Sequence, residues 1–168
     1  MGPTSSIVLP GSPEAHRSRV LALVHLIASS VEGDDFWVSS TFAIGGAYRG
    51  EGRPFCFTAE ALAEYDEDEL AEIEARFGFR PTTDIGLAAM CDRREDHRIL
   101  CELSIAVADQ FGGVIDFGGE LMVPKQPLEG QLESMPYVAA NGSGHTYHVG
   151  DSTFARAWLT WAKFHMVK

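Results

Sequence analysis

Basic residues are scarce in this chain. Thirteen Lys and Arg stand against 24 Asp and Glu, a formal net charge of −11 over 168 residues. Phosphate and anionic lipid are bound through clustered Lys and Arg, so this balance argues against nucleic acid and a membrane surface as partners and suits a basic protein instead. Long apolar runs are missing too: none approaches the roughly 20 residues that cross a bilayer. The first ten residues carry no basic segment and only Ile7, Val8 and Leu9 as an apolar stretch. A secretory signal is therefore not expected, and a cytoplasmic location is. Cysteines are few, widely spaced and odd in number (Cys56, Cys91, Cys101), with no CxxC pair. They read as buried thiols rather than a disulfide framework. Catalytic signatures are absent as well: there is no GxSxG elbow, no Walker phosphate loop and no HExxH helix, and Gly45-Gly46 is not followed by GxGxxG. No cofactor and no catalytic residue is assigned, and a non-enzyme is the first expectation.

What is present is ordinary globular material. Apolar residues make up 45% of the chain, with ten Phe and three Trp, enough to build a core. A chain of this length forms one domain, here residues 1–168, burying roughly 70% of its unfolded surface. Residues 5–9 read as a first strand closed by Pro10-Gly11-Ser12-Pro13, with Ser12 as N-cap of a helix. Over residues 20–27 apolar side chains fall on nearly every face, which predicts a helix packed on more than one side, broken by Glu32-Gly33-Asp34-Asp35. Strands are expected at 36–44, 55–58 and 85–91, with a turn at 49–54, and helices at 66–77, stopped by Gly78, and at 95–110. After a Pro-containing loop through Gly130, residues 137–140 and 145–149 form a hairpin around Asn141-Gly142-Ser143-Gly144, and Asp151 or Ser152 caps a final helix. Strands and helices mixed at irregular intervals predict an α+β fold with a central, mostly antiparallel sheet and flanking helices.

The segment at residues 111–119, Phe-Gly-Gly-Val-Ile-Asp-Phe-Gly-Gly, is the most specific stretch. Two Gly pairs bracket a short strand on which Val114 and Asp116 share one face and Ile115 and Phe117 the other. A carboxylate on such a strand must face solvent or find a partner, and Arg80, Arg93, Arg94 and Arg98 are the candidates.

Glu60, Glu64, Asp66, Glu67, Asp68, Glu69, Glu72 and Glu74 form an acidic run with no basic residue among them. The plain reading is a solvated helix whose first acids favour the positive end of its dipole. The functional reading is a decoy surface that steers a basic protein, with Phe36 and Trp37 as exposed aromatic anchors. His145 and His148 beside Asp151 have a metal-like spacing, but on a strand they point to opposite faces, so no metal is assigned. Asp96 reads as the N-cap of the 95–110 helix with His97 as its surface neighbour. A competing reading makes Asp116, His97 and His148 one pocket for a small ligand or a reaction. Cys91, among Ala88, Ala89 and Met90, reads as an inert thiol, and the three Trp as core or interface filling.

These residues carry a resemblance. Asp35-Phe36-Trp37-Val38, Phe77-Gly78-Phe79-Arg80-Pro81, residues 85–91, Asp96-His97-Arg98, residues 111–119, Tyr147-His148-Val149, Trp158-Leu159 and Met166-Val167-Lys168 resemble a family of small bacterial proteins known only as a domain of unknown function. No activity comes with that resemblance. More loosely, a small acidic α+β chain of this kind is similar to immunity proteins of bacterial toxin systems, which implies a cognate toxin whose active site is occluded; Glu64, Glu67, Asp68, Glu69 and Glu72 of the acidic run, with Phe36 and Trp37, are the residues expected to bind it. A homodimer made through an apolar surface is the remaining reading.

Overall fold

The computed structural model describes residues 2–39, 52–63, 65–139 and 142–167. Along the chain run β1 (Thr4–Leu9), α1 (Pro13–Ile27), β2 (Ser30–Glu32), β3 (Asp35–Ser39), β4 (Gly52–Phe57), β5 (Glu60–Ala61), α2 (Glu67–Phe77), β6 (Thr83–Ala89), α3 (Arg94–Phe111), β7 (Val114–Asp116), β8 (Leu132–Val138), β9 (Gly144–Gly150) and α4 (Ser152–Leu159). Among the described residues the strands join in one sheet of nine, in the order β2-β3-β4-β6-β1-β7-β9-β8 with β5 paired to β6, and every pairing is antiparallel. The fold is α+β with a central sheet and flanking helices.

Strand parity divides the side chains between two faces. Ile7 and Leu9 of β1, Ile85 and Leu87 of β6, Ile115 and the following Phe117 enter the larger core, which α1, α3 and α4 cover with Val20, Leu100, Leu103 and Trp158. The opposite face is covered less. Val8, Val114, Met135, Tyr147 and Val149 form a second cluster under Ile73 of α2. Helix α2 packs against β8, and beyond it the middle of the sheet presents Ser6, Asp84 and Asp116 to a cavity.

The helices end where local chemistry dictates. Ser12 accepts from the Ala15 amide at 3.4 Å and Pro13 opens α1. Asp66 and Glu69 cap α2 reciprocally, the Asp66 carboxylate accepting from the Glu69 amide at 2.8 Å and the Glu69 carboxylate from the Asp66 amide at 3.1 Å. Helices α2 and α3 stop at Gly78 and Gly112, whose φ angles of 78° and 74° lie in the left-handed region. Asp66→Ala removes one half of the α2 cap and is expected to lower stability by about 1 kcal/mol, measured by urea unfolding.

Several expectations are corrected. Helix α1 packs on one side only: Val20 and Val24 are buried while Leu26 is 83% exposed, because the helix lies on the sheet with its outer face in solvent. It ends at Ile27, and residues read as part of its break pair instead as a β2–β3 hairpin turning at Gly33. Strand β8 runs Leu132–Val138 and so begins five residues before the expected strand start at 137. Pro136 is tolerated inside it because β8 is the sheet edge, where a missing N–H breaks no outer ladder bond. Asp96 is not the N-cap of α3: Arg93 holds that position and the Asp96 carboxylate accepts from its amide at 2.7 Å. His97 is 2% exposed, stacked on His165 with ring centroids 3.8 Å apart, rather than a surface neighbour. The far half of the 36–44 strand, Gly45-Gly46 and the start of the 49–54 turn lie outside the described residues.

Candidate functional site

The open face of the sheet holds a cavity of about 300 Å³. Its floor comes from three neighbouring strands: Ser6 of β1 pairs with Gly86 of β6 on one side and with Asp116 of β7 on the other. Two residues along β6, Asp84 shares the parity of Gly86, and its carboxylate accepts from the Ser6 hydroxyl at 3.2 Å. Tyr65, just before α2, Tyr147 of β9 and Tyr137 of β8 form the walls, with Glu69 of α2 at the rim.

Asp116 is 7% exposed. Its carboxylate accepts from the Tyr65 hydroxyl at 2.6 Å and from the Gly118 amide at 2.7 Å. Burial pushes its pKa from 3.8 up to about 6; the two hydrogen bonds oppose that rise and the charge of Glu69 adds to it. Tyr65 is held neutral far above the ordinary phenol range, first by burial and then by the Asp116 charge. Tyr147 is also pushed up, by burial and then by the charges of Asp116 and Glu69. Its hydroxyl is buried and, among the described residues, no partner meets it at full hydrogen-bond geometry; Glu69 acts on it both by charge and as a weak hydrogen-bond acceptor.

A second hollow, about 370 Å³, shares Glu69 and Tyr137 with the first and lies between α2 and the β8–β9 hairpin. Asp66, Asp68, Glu69 and Glu72 line it on the helix side, and Met135, Pro136, Val138 and His145 on the other. Tyr137 stacks on His145 with centroids 5.5 Å apart and meets Tyr147 edge-on at 5.8 Å. Tyr137 and Val138 are 38% and 73% exposed. An acidic wall thus faces an aromatic and aliphatic one.

The residues singled out from sequence are distributed unevenly over this geometry. Asp68, Glu69 and Glu72 line the groove. Glu72 is also bridged to Arg76 at 2.6 Å, and Glu67 is paired with Arg80, so neither presents a bare charge. Glu64 lies outside the described residues. Phe36 is fully buried, stacked on Phe55 in the larger core, because its parity on β3 sends it inward; it is no exposed anchor. Trp37 is half-buried, on a strand near the other end of the sheet from the hairpin.

Asp116, His97 and His148 do not share a pocket. Asp116 pairs with Val149 on β9, so His148 projects to the opposite face, where its Nδ1 accepts from the Leu121 amide at 2.7 Å and burial lowers its pKa. His97 belongs to α3, which covers that opposite face, and bonds Asp92 at 3.0 Å. None of the arginines proposed for Asp116 reaches it: Arg80 pairs with Glu67 and Glu74, and Arg98 with Glu102. Among the described residues no group of three or more His, Cys, Asp or Glu is arranged to hold a metal ion. Sequence reasoning missed Tyr65, Tyr147, Asp84 and Ser6. Parity on the two strands holds the signal for Asp84 and Ser6, since each alternates with core residues; nothing local marks Tyr65.

Fold and site together define an α+β domain with an acidic, tyrosine-walled cleft on the less covered face of its sheet. The chain belongs to a family described as "Family of unknown function (DUF6368)", whose model matches residues 1–168. No curated protein and no solved structure matches it.

Proposed function

We propose that this protein is a cytoplasmic protein-binding module of the immunity type, which neutralises a cognate basic toxin by occluding its active site. The observation that carries the reading is the groove between α2 and the hairpin, where Asp66, Asp68 and Glu69 face Tyr137 and Val138. A solvated helix would need no facing wall. Here acids that draw in a basic surface stand beside exposed apolar side chains that anchor it once docked. The net charge of −11 adds long-range attraction to the same partner.

The test is capture from the native lysate at low and high salt by wild type and by an Asp68→Lys/Tyr137→Ala variant. One stoichiometric basic protein is expected, released by salt and not retained by the variant. With that protein purified, Asp68→Lys alone is expected to slow association at least about 10-fold and to flatten its salt dependence. No partner in either salt, or equal capture by the variant, overturns the proposal.

A further inference from the structure

The Tyr147 hydroxyl has Glu69 as a weak acceptor and no partner at full hydrogen-bond geometry among the described residues. Tyr147 is 6% exposed and lines the Asp116 cavity. Buried polar groups are nearly always paired, and an exception inside a cavity marks a place for a missing partner. Asp116 has spare capacity too. A carboxylate offers about four lone-pair positions, and Tyr65 and Gly118 occupy two. With Glu69 at the rim, the described residues lining the cavity supply further acceptor oxygens and include no Lys, Arg or His. Its walls are three tyrosine rings.

We propose that the Asp116 cavity binds a guanidinium group, carried either by a free small molecule or by an arginine side chain of a protein. A guanidinium is planar, permanently charged and carries five N–H donors in a fixed fork, which matches one carboxylate bidentately with donors left for a phenol oxygen. Its faces stack on aromatic rings, and Tyr65, Tyr137 and Tyr147 supply them. A volume of about 300 Å³ is at the small end for ligand sites and suits one such head group with a short alkyl stem. The donors are unsuited to a hard metal ion, since two of the walls that would have to ligate it are neutral phenols with raised pKa values.

The site rests on its own geometry and needs no toxin partner to be tested. Agmatine and the tripeptide acetyl-Gly-Arg-Gly-amide are titrated into the whole chain while the tyrosine ring signals are followed by NMR. Saturable binding is expected, weaker by at least about 30-fold in Asp116→Asn and by about 10-fold in Tyr147→Phe. Glu14→Gln, which removes the same charge from the exposed start of α1, is expected to leave binding unchanged. Both site variants replace a group by a near-isostere, and an unchanged amide spectrum outside the cavity shows that they fold. Affinity for wild type is expected to rise with pH through about 6, because the cation favours ionised Asp116, with Glu69, Asp84, Tyr65 and Tyr147 the titratable groups facing it. Agmatine binding as tightly as the tripeptide supports the site with a free metabolite as its ligand, and preference for the tripeptide supports it with a protein arginine. No binding of either, or binding unaltered in Asp116→Asn, overturns it, whatever the lysate capture returns.

Discussion

Arg53→Met is expected to destabilise the folded protein by about 3–5 kcal/mol at neutral pH. Asp96 is fully buried at the start of α3, and Arg53 of β4 is its counter-ion: Nη2 donates to one carboxylate oxygen at 2.6 Å and Nε to the other. The same carboxylate accepts from the Arg93 amide, so it neutralises a cation and closes the first turn of α3 together. The pair does not stabilise the fold by its Coulomb attraction alone, since desolvating both charges cancels much of that gain. Its importance lies in the asymmetry: removal of the arginine leaves an anion in the interior with the Arg93 amide as its remaining donor among the described residues. The physical account is checked by the Arg53→Met/Asp96→Asn double variant. An amide still accepts from Arg93 and carries no charge, so the double variant is expected to recover most of the loss in urea unfolding. A single-variant loss below about 1 kcal/mol would place the pair among those that contribute little.

That pair also shows how far the sequence reads. Periodicity places α2 and α3, and parity within residues 114–117 assigns Val114 and Asp116 to one face and Ile115 and Phe117 to the other, as the two clusters confirm for the apolar three and the cavity lining for Asp116. These are local statements about a helix turn or a pleat. The acid at 96 was legible as part of a cap, but its partner 43 residues away was not. Tyr65 is 51 residues from Asp116 and meets it because α2 crosses the sheet there, a fact fixed by strand order. Strand order in turn follows from which apolar faces close together, and no window of sequence contains that. Phe36 failed for a simpler reason. An aromatic at the head of a strand is equally suited to solvent and core until its neighbours are known, and here Phe55 and Phe57 sit beside it.

Asp116→Asn is expected to raise stability near pH 7.5 while removing the buried charge of the cavity; Asp84 and Glu69 remain. Burial raises the Asp116 pKa from 3.8 to about 6, so the folded state holds its proton more tightly than the unfolded chain does. Between those values the native protein binds more protons, and stability therefore falls as pH rises through the window and levels off above about 6. At about 1.4 kcal/mol per pH unit, ionisation of this one side chain costs the wild type up to about 3 kcal/mol. The amide keeps the shape and an oxygen for Tyr65 or Gly118 but never ionises. The stability difference between variant and wild type should thus be near zero at pH 4 and grow to about 2–3 kcal/mol above the folded-state pKa, read from urea unfolding across the range. A difference that stays constant with pH would mean that Asp116 does not titrate in the window. The expected result has a functional side. A carboxylate kept in a cavity at a cost to the fold, beside a Tyr147 hydroxyl without a full hydrogen-bond partner among the described residues, is what a site for a cation requires before the cation arrives. Binding then returns part of the lost stability, so agmatine at a concentration that saturates wild type should raise its melting temperature at pH 7.5 and shift Asp116→Asn far less.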